Sequence, residues 1–443
     1  MTSQLQWCAL LLSCLCGLIQ CAEANNNNNK LQVPTTTLET GQQFPMVGLE
    51  VDGLRGEIIF QRISDAMQNT TQFGLFTTAQ RNNNERRLNI GIVNTITASH
   101  LFGSEVHVIT KVPYTHLGYE RTRLSVMESL KEIHNRNTKV HILLEWPRCR
   151  DDISWMHCEQ DEMKLPHHVK AAGPPPHLNK DFAFLDSWRA LEEIFLREVS
   201  LGSNLASVAS IGVANFGIED LHTLDMHSRV LPHIVQKTVW SFVHDPFLMD
   251  YLDKNFIHFQ AFDVLSEIFG KGIAPPRAVG ALHEVARSVQ NEEGPAFTPK
   301  QVVLKWLVQS GVSVTALAAD TASVHEFSPV SIASMPELDR NQMEAVRASV
   351  AAMLRGEDLP PPMARFHSRL KEGFVRIFWL NADTGEEVPI ETVSPGSTYV
   401  STTYEGHQFV AYADDDEDHS RPSKRMVVDR TYGQSKRFLI EEL

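Results

Sequence analysis

The sequence predicts an α/β chain in which a (β/α)8 barrel is followed by a small all-β domain. Between residues 45 and 330, eight short apolar runs alternate with longer segments of helical periodicity. Near-continuous apolar strands separated by helices indicate a parallel sheet that is buried on both faces. Eight such units fit a closed barrel better than an open sheet, although periodicity alone does not separate the two.

The strand-like runs are short and bounded by polar or helical segments. They lie at residues 46–51, 73–79, 106–112, 139–147, 207–216, 233–239, 257–265 and 312–318. Helical periodicity marks residues 121–134, 186–198, 245–255 and 299–309. A last helix precedes the breaker GEDLPPP at residues 356–362, which predicts a domain boundary and places the barrel at residues 45–356.

Beyond the proline cluster the pattern changes to alternating strands. Residues 375–390, 392–414 and 425–440 alternate apolar and polar side chains around Asp-Thr-Gly and Ser-Pro-Gly turns. This pattern is typical of an antiparallel unit, and we predict a small β-sandwich at residues 366–443.

The amino-terminal segment is typical of a secretory signal. An apolar run at residues 7–19 precedes a small-x-small site at residues 22–24, which predicts a signal peptide at residues 1–24. The polar stretch at residues 25–44 is expected to be a disordered leader. The sequence therefore predicts a secreted or endomembrane-lumen protein with no membrane span once the signal is removed. In that setting Asn69, in Asn-Thr-Thr, is a candidate glycosylation site.

The composition argues against a nucleic-acid partner. The formal net charge is −14, and no basic stripe is present, whereas phosphate binding draws on clustered cations. Hydrophobic residues make up 42% of the chain, which suffices for a buried core. The oligomeric state is left open by these features.

Two of the six cysteines remain after the predicted cleavage. Cys149 and Cys158 are nine residues apart in a polar loop, and in an oxidising compartment we expect them to form a disulfide. A metal site is the alternative, because His157, His167 and His168 lie nearby, but the ligand spacing does not favour it.

Several strand ends resemble the aldo-keto reductase family. The segments are VITKVPYT, KVHILLEWP, IGVANFGIEDL, IHFQAFDVLSEI and TPKQVVLKWLVQSGVSV, and they occur in the family's order. The resemblance implies a barrel of aldo-keto reductase type. It also implies an ancestral reaction in which NADPH delivers hydride to a carbonyl while a tyrosine, tuned by a lysine, donates a proton.

The same resemblance implies that most of the catalytic tetrad has been replaced. Thr77 stands at the family's aspartate position, Asn82 at the tyrosine position and Glu145 at the histidine position, whereas Lys111 is retained. An asparagine amide cannot act as the proton donor. No tyrosine occurs in residues 45–110, so the replacement does not depend on the alignment. We expect Lys111 and Glu145 to form an ion pair across the vacated site.

The cofactor positions are mixed. By resemblance, Asn215 and Gln236 match residues that hold the nicotinamide amide, and Phe262 matches the ring that stacks on it. The positions that bind the 2′-phosphate in the family carry no cation; they are Leu317, Ala318 and Ser323. Because these contacts make NADP binding tight, the sequence leaves NADP as a possible cofactor and implies none with certainty.

The carboxyl-terminal segment resembles the β domain of the von Hippel-Lindau tumour suppressor. The shared skeleton is Trp-Leu-Asn, a Gly-Glu turn, Pro-Gly and Tyr-x-Gly-His. The resemblance implies a slot for hydroxyproline, with Trp379, Thr403, His407 and Phe409 at its binding positions. The alternative is that Trp379 and Phe409 are core residues and His407 caps a turn.

These observations leave three hypotheses for function. In the first, the barrel is a pseudoenzyme and the chain is a binding or scaffold protein that reads proline-rich or hydroxyproline-containing proteins. In the second, it is an NAD(P)H-dependent oxidoreductase with a rearranged site. In the third, the barrel has taken a different ligand, using Glu145, Lys111 and Asn82.

Overall fold

A computed structural model describes most of the chain from residue 33 onward. The residues outside its description are 1–32, 102–104, 134, 136, 180–181, 202–206, 271, 273–274, 291–295, 383, 405, 415, 417–423, 429–434 and 442–443. The predicted signal peptide at residues 1–24 therefore lies outside the described residues. Asn69 is exposed in a turn, which suits a glycosylation site, but export and glycosylation stay predictions.

Eight parallel strands close into a barrel, as the sequence predicts. The order around the barrel is β10-β3-β4-β5-β6-β7-β8-β9. The strands are β3 Val47–Glu50, β4 Leu75–Thr77, β5 Val106–Val112, β6 Thr138–Leu144, β7 Ser207–Ala214, β8 Ile234–Lys237, β9 His258–Ala261 and β10 Ser313–Leu317. Each falls within its predicted apolar run, except that β6 begins one residue earlier, at Thr138. The run at β5 is buried along its whole length, as expected for a sheet covered on both faces.

Helices surround the barrel and cover the outer face of its sheet. They are α1 Glu57–Ala66, α2 Glu85–Ala98, α3 Tyr119–Glu132, α4 Cys158–Lys164, α5 His167–Ala172, α6 Ala183–Leu201, α7 Ile218–His227, α8 Val239–His244, α9 Pro246–Lys254, α10 Val264–Phe269, α11 Pro276–Ser288, α12 Pro299–Gln309, α13 Thr321–Glu326, α14 Pro329–Ser334 and α15 Arg340–Arg355. Within the described residues, no helix combines the length and the hydropathy needed to cross a bilayer.

The carboxyl-terminal segment forms two packed sheets, as predicted. One sheet has the order β14-β11-β17 and the other β13-β12-β15-β16. The strands are β11 Met363–Ser368, β12 Val375–Leu380, β13 Glu387–Val393, β14 Thr398–Thr402, β15 Gln408–Ala413, β16 Lys424–Val427 and β17 Ser435–Ile440. The first strand begins at Met363, slightly before the predicted boundary at residue 366. The last strand, β17, pairs in parallel with the first, β11.

The predicted disordered leader, residues 25–44, extends too far. Strands β1 Thr35–Thr37 and β2 Gln43–Pro45 pair as an antiparallel hairpin. The hairpin forms because Phe44 is fully buried and anchors it to the barrel. Its loop also donates a hydrogen bond from Gln42 Nε2 to Glu105 Oε1 at 2.8 Å, just before β5 begins. Both contacts place the hairpin at the amino-terminal face of the barrel, which we call the floor.

Three histidine rings surround Phe44 in the floor. Their centroids lie 5.9 Å (His107), 5.0 Å (His141) and 5.7 Å (His258) from that of the phenylalanine. His107 Nδ1 and His141 Nε2 are 2.9 Å apart, a distance at which one ring donates its N–H to the unprotonated nitrogen of the other. Burial lowers the pKa of His107 to about 4 despite the nearby Glu105 carboxylate. It also lowers the pKa of His258 to about 4 and that of His141 well below its usual value.

We expect the free energy of unfolding to fall as the pH drops below about 6.5. In the unfolded chain each histidine binds a proton near pH 6.5, whereas the folded chain resists protonation down to about pH 4. Each such histidine therefore costs about 2 kcal/mol of stability between pH 7 and pH 5. Urea denaturation at the two pH values measures the difference. His258→Gln should flatten the pH dependence, and His227→Gln, at an exposed position, should leave it unchanged. An unchanged slope in the His258 variant would contradict the prediction.

Candidate functional site

The carboxyl ends of the barrel strands meet at one face, which we call the mouth. Because all eight strands are parallel, residues far apart in sequence converge there. The predicted site residues of the barrel lie at these strand ends. Thr77 is the last residue of β4, and Lys111 is the next to last of β5. Glu145 and Asn215 directly follow β6 and β7. Gln236 lies in β8, and Phe262 directly follows β9.

Lys111 is buried at the mouth and is neutralised by a residue that the sequence analysis did not identify. Its Nζ lies 3.6 Å from Asp52 Oδ2 and 5.5 Å from the centroid of the Phe262 ring. Asp52 follows β3, the strand next to β4. It therefore supplies from an adjacent strand the carboxylate that Thr77 cannot.

Glu145 pairs with an arginine rather than with the lysine. Arg81 Nε lies 2.8 Å from Glu145 Oε1, and the glutamate is almost fully buried. The predicted ion pair between Lys111 and Glu145 is therefore wrong, because each side chain has another partner. Burial raises the pKa of Glu145, while the charges of Arg81 and Lys111 act in the opposite direction.

A second buried carboxyl, Glu50, belongs to the same group of charges. Its Oε1 accepts hydrogen bonds from the backbone amide of Asp263, at 2.6 Å, and from Thr315 Oγ1, at 2.9 Å. Burial raises the pKa of Glu50 to about 7, and the nearby Asp52 carboxylate adds to the effect. Near neutral pH the mouth thus holds a carboxyl that can be either protonated or ionised.

A tyrosine does lie near the mouth, but its hydroxyl is engaged. Tyr114 follows β5 and donates a hydrogen bond to Asp161 Oδ2 at 2.7 Å. Burial and this hydrogen bond raise the pKa of the phenol above its usual value. A weaker acid held by a carboxylate is a poor substitute for a proton-donating phenol. Asn82 ends a short 3₁₀ helix, Gln80–Asn82, and its match to the tyrosine position stays a prediction.

Several polar atoms at the mouth are buried without a hydrogen-bond partner among the described residues. They are Asp52 Oδ1, Thr77 Oγ1, Asn82 Nδ2, Glu145 Oε2, Gln236 Oε1 and Gln260 Nε2. Buried polar atoms are nearly always paired, so unpaired ones indicate bound water or a ligand. The set mixes donors and acceptors, which suits a small ligand with several hydroxyl or amide groups.

The residues matched to the nicotinamide pocket are partly occupied by internal contacts. Asn215 has a left-handed backbone, with φ of 61°, and its Nδ2 donates to the carbonyl of Glu145 at 3.0 Å. Gln236 Nε2 donates to Gln260 Oε1 at 2.8 Å. Asn215 therefore satisfies a strand-end carbonyl, whereas one oxygen of Gln236 is still available.

The segment matched to the 2′-phosphate site does not fit a phosphate. The carboxylate of Asp320 caps α13, accepting hydrogen bonds from the backbone amide and the hydroxyl of Ser323 at 2.8 and 2.6 Å. Leu317 is exposed at the end of β10. The nearby cation, Arg62, is buried and donates to the Ala319 carbonyl at 2.7 Å. A negative charge thus stands where the phosphate would bind, and these residues do not fit NADP(H).

A disulfide loop lies beside the mouth. Cys149 and Cys158 are joined, and both sulfurs are buried. The loop between them carries Trp155, whose ring centroid is 5.0 Å from the Arg81 guanidinium carbon and 6.1 Å from the Tyr114 ring. The disulfide therefore fixes an aromatic side chain against the arginine that pairs with Glu145. The carboxylate of Asp151 lies within 4.8 Å of the two sulfurs, which are bonded to each other rather than arranged as metal ligands.

Three of the four predicted slot residues of the sandwich lie together. The rings of Trp379 and His407 are 5.3 Å apart, and Thr403 Oγ1 is 3.2 Å from His407 Nδ1. Phe409 stands opposite Trp379 on the neighbouring strand, but it is 2% exposed and packs on Phe366 in the core. Its assignment to a peptide-binding position stays a prediction. Tyr404 adds an exposed ring 5.2 Å from His407.

Glu50, Asp52 and Arg81 at the mouth were not predicted from the sequence. A signal was present for the first two, because acidic side chains at the end of an apolar strand point to the carboxyl-terminal face of a parallel barrel. Arg81 lies in a loop, where side-chain direction is not periodic, and the sequence offered no comparable signal for it.

Comparison with known proteins relates the barrel to aldo-keto reductases. No protein-family model matches the chain. An NAD(P)H-dependent D-xylose reductase of Candida tropicalis is 22% identical over 286 residues, covering 64% of this chain and 82% of the relative. An aldo-keto reductase of Mycolicibacterium smegmatis is 23% identical over 288 residues, covering 65% and 82%.

Solved structures give the same result for the fold. The aldo-keto reductase of Brucella melitensis matches with a TM-score of 0.52 and 23% identity, covering 72% of this chain and 100% of that one. A Bombyx mori aldo-keto reductase in complex with NADP matches with a TM-score of 0.55 and 18% identity, covering 72% and 93%. The predicted barrel type is confirmed, and at this identity the likeness extends to the fold alone.

We expect Arg81→Met to destabilise the chain by about 2 kcal/mol at pH 8, because the buried Glu145 carboxylate loses its partner. Adding Glu145→Gln should recover most of the loss. The control is Arg150→Met, which breaks a solvent-exposed pair with Asp152 and should change the stability far less. Urea denaturation of the single and double variants measures the coupling. Equal costs at Arg81 and Arg150 would contradict this interpretation of the site.

Proposed function

We propose that this chain, whose barrel has the aldo-keto reductase fold, is a catalytically degenerate relative of that family and acts as a binding protein. The observation that carries the proposal is the new partner of Lys111. In the ancestral arrangement a lysine tunes a phenol, whereas here the ammonium is paired with Asp52, and Asn82 stands at the phenol position.

The geometry of the mouth supports a loss of proton donation. Tyr114, which follows β5, donates a hydrogen bond to Asp161, and the pKa of its phenol is raised. The carboxyl of Glu145 is held by Arg81 on one oxygen. Burial raises the pKa of Glu50 to about 7, but its carboxyl already accepts hydrogen bonds from the amide of Asp263 and the hydroxyl of Thr315. None of these groups reproduces an acid aimed at a carbonyl oxygen.

The electrostatics near Asp320 support a loss of the cofactor. A carboxylate at the helix start and an exposed Leu317 would meet the adenosine phosphate of NADPH. The nearby cation, Arg62, is already engaged by Asp65 and the Ala319 carbonyl. Removing charge-assisted contacts and adding a like charge weakens anion binding by several kcal/mol in total. The barrel would then bind a ligand through its unpaired polar atoms with no hydride to transfer.

We expect the purified protein to show no binding of NADPH at millimolar concentration, by calorimetry and by nicotinamide fluorescence. Leu317→Lys combined with Asp320→Asn supplies a cation and removes the like charge, so this variant should gain measurable binding. The gain would show that the wild-type protein fails for the stated reason. Micromolar binding by the wild type, with carbonyl reduction that Lys111→Ala abolishes, would instead establish an oxidoreductase with a rearranged site.

A second candidate function belongs to the sandwich. Trp379 Nε1 is buried and has no partner among the described residues, and the indole lies beside the Thr403–His407 hydrogen bond. With Tyr404 this group offers two aromatic walls and polar atoms, a combination that suits a hydroxylated ring. We propose that it binds a hydroxyproline-containing segment of a partner protein.

We expect a proline-rich peptide that contains 4-hydroxyproline to bind at least ~tenfold more tightly than its proline counterpart, by fluorescence polarisation. Trp379→Ala and His407→Ala should abolish the difference. A matched control is His367→Ala on the other sheet, where Nδ1 lies 2.8 Å from Thr398 Oγ1. Equal affinity for both peptides, or a loss of binding in the His367 variant, would count against the slot.

A further inference from the structure

A cleft of about 720 Å³ lies at the floor, at the opposite end of the barrel from the mouth. It is bounded by the loop of the amino-terminal hairpin, by α6, by the start of β7 and by the loops that precede β8 and β9. Its lining includes Glu39, Phe195, Val208, Arg229, His233 and Phe256. A cavity of this size with apolar walls and a few polar groups is typical of a small-ligand site. A smaller cleft of about 390 Å³ shares Glu39 and Phe256 with it.

Phe256 stands at a backbone position that normally excludes it. It lies two residues after the end of α9, with φ of 56°, and its side chain is 79% exposed. The amide of Ile257 donates to the carbonyl of Leu252 at 2.9 Å, which is the closing hydrogen bond of a helix end that favours glycine at the position of Phe256. A bulky residue with a left-handed backbone and an exposed ring is strained without a packing gain. Packing within the chain does not explain it.

The cleft is lined by two charged side chains, Arg229 and Glu39, that are exposed enough to contact a ligand. The backbone amide and Nε of Arg229 contact the buried Glu192 carboxylate, the Nε at 3.4 Å, and the arginine side chain is still 60% exposed. Glu39 is exposed and has one long contact, 3.6 Å, to His233 Nε2. Burial lowers the pKa of His233, so the imidazole is neutral and does not cancel the carboxylate. The cleft therefore offers one cation and one anion.

We propose that this floor cleft binds a short apolar peptide with free termini, such as a dipeptide. The peptide carboxylate would pair with Arg229 and its ammonium with Glu39, while an apolar side chain packs between Phe195 and Phe256. A zwitterion can contact both charged groups of the cleft, whereas a ligand with a single charge can contact only one of them favourably. This proposal is independent of the degenerate mouth and of the sandwich slot.

The test is calorimetric titration of the full protein with the dipeptide Phe-Leu. Saturable one-to-one binding is expected, and Arg229→Gln and Glu39→Gln should each weaken it ~tenfold or more. Phe256→Gly should weaken binding equally and yet leave the melting temperature unchanged or higher, because glycine relieves the left-handed backbone. A purely structural phenylalanine would not give this combination. The matched control is Phe247→Ala, at the other end of α9, where the ring is 80% exposed and outside the cleft.

Three outcomes would overturn the proposal. The first is no heat of binding at millimolar dipeptide. The second is undiminished binding of the N-acetylated, C-amidated dipeptide or of myristate, which would leave a merely apolar cleft. The third is wild-type affinity in Phe256→Gly.

Discussion

A buried ammonium needs a carboxylate nearby, and the arrangement of the barrel mouth follows from that requirement. Lys111 lies among apolar strands at a position where water cannot solvate its charge. Thr77 cannot supply this carboxylate, and Asp52, which follows the neighbouring strand β3, lies 3.6 Å from the ammonium instead. The barrel keeps its fold because charge balance is local and does not depend on which strand supplies the partner.

The Asp52 carboxylate also acts on the other carboxyl groups of the mouth. Asp52 disfavours ionisation of Glu50 and Glu145, and both carboxyls therefore need compensation. Glu50 accepts hydrogen bonds from the amide of Asp263 and the hydroxyl of Thr315. Glu145 pairs with Arg81, whose guanidinium lies over the Trp155 ring of the disulfide loop. The charged groups of the mouth thus form one network, in which the position of each carboxylate affects the protonation of the others.

Much of this fold was predictable from the sequence, because periodicity follows directly from burial. A repeating pattern of apolar residues along the sequence marks the eight strands and the helices between them. A change in that pattern marks the alternating strands after residue 362. The occupants of the strand ends, such as Lys111 and Glu145, were predictable as members of one site because parallel strands end at one face. Their partners were not. Whether Glu145 meets Lys111 or Arg81 depends on loop geometry to within an ångström, and no spacing rule encodes it.

The parallel pairing of β11 with β17 has a consequence for how the protein is made. The first strand of the sandwich is central in its sheet, and one of its two neighbours is the last strand. During synthesis, residues 363–368 emerge from the ribosome long before residues 435–440, while the barrel sequence is already outside. The barrel can therefore complete its core co-translationally, whereas the β11 edge stays open to solvent and chaperones until the final strand docks Phe438 and Ile440 into the core.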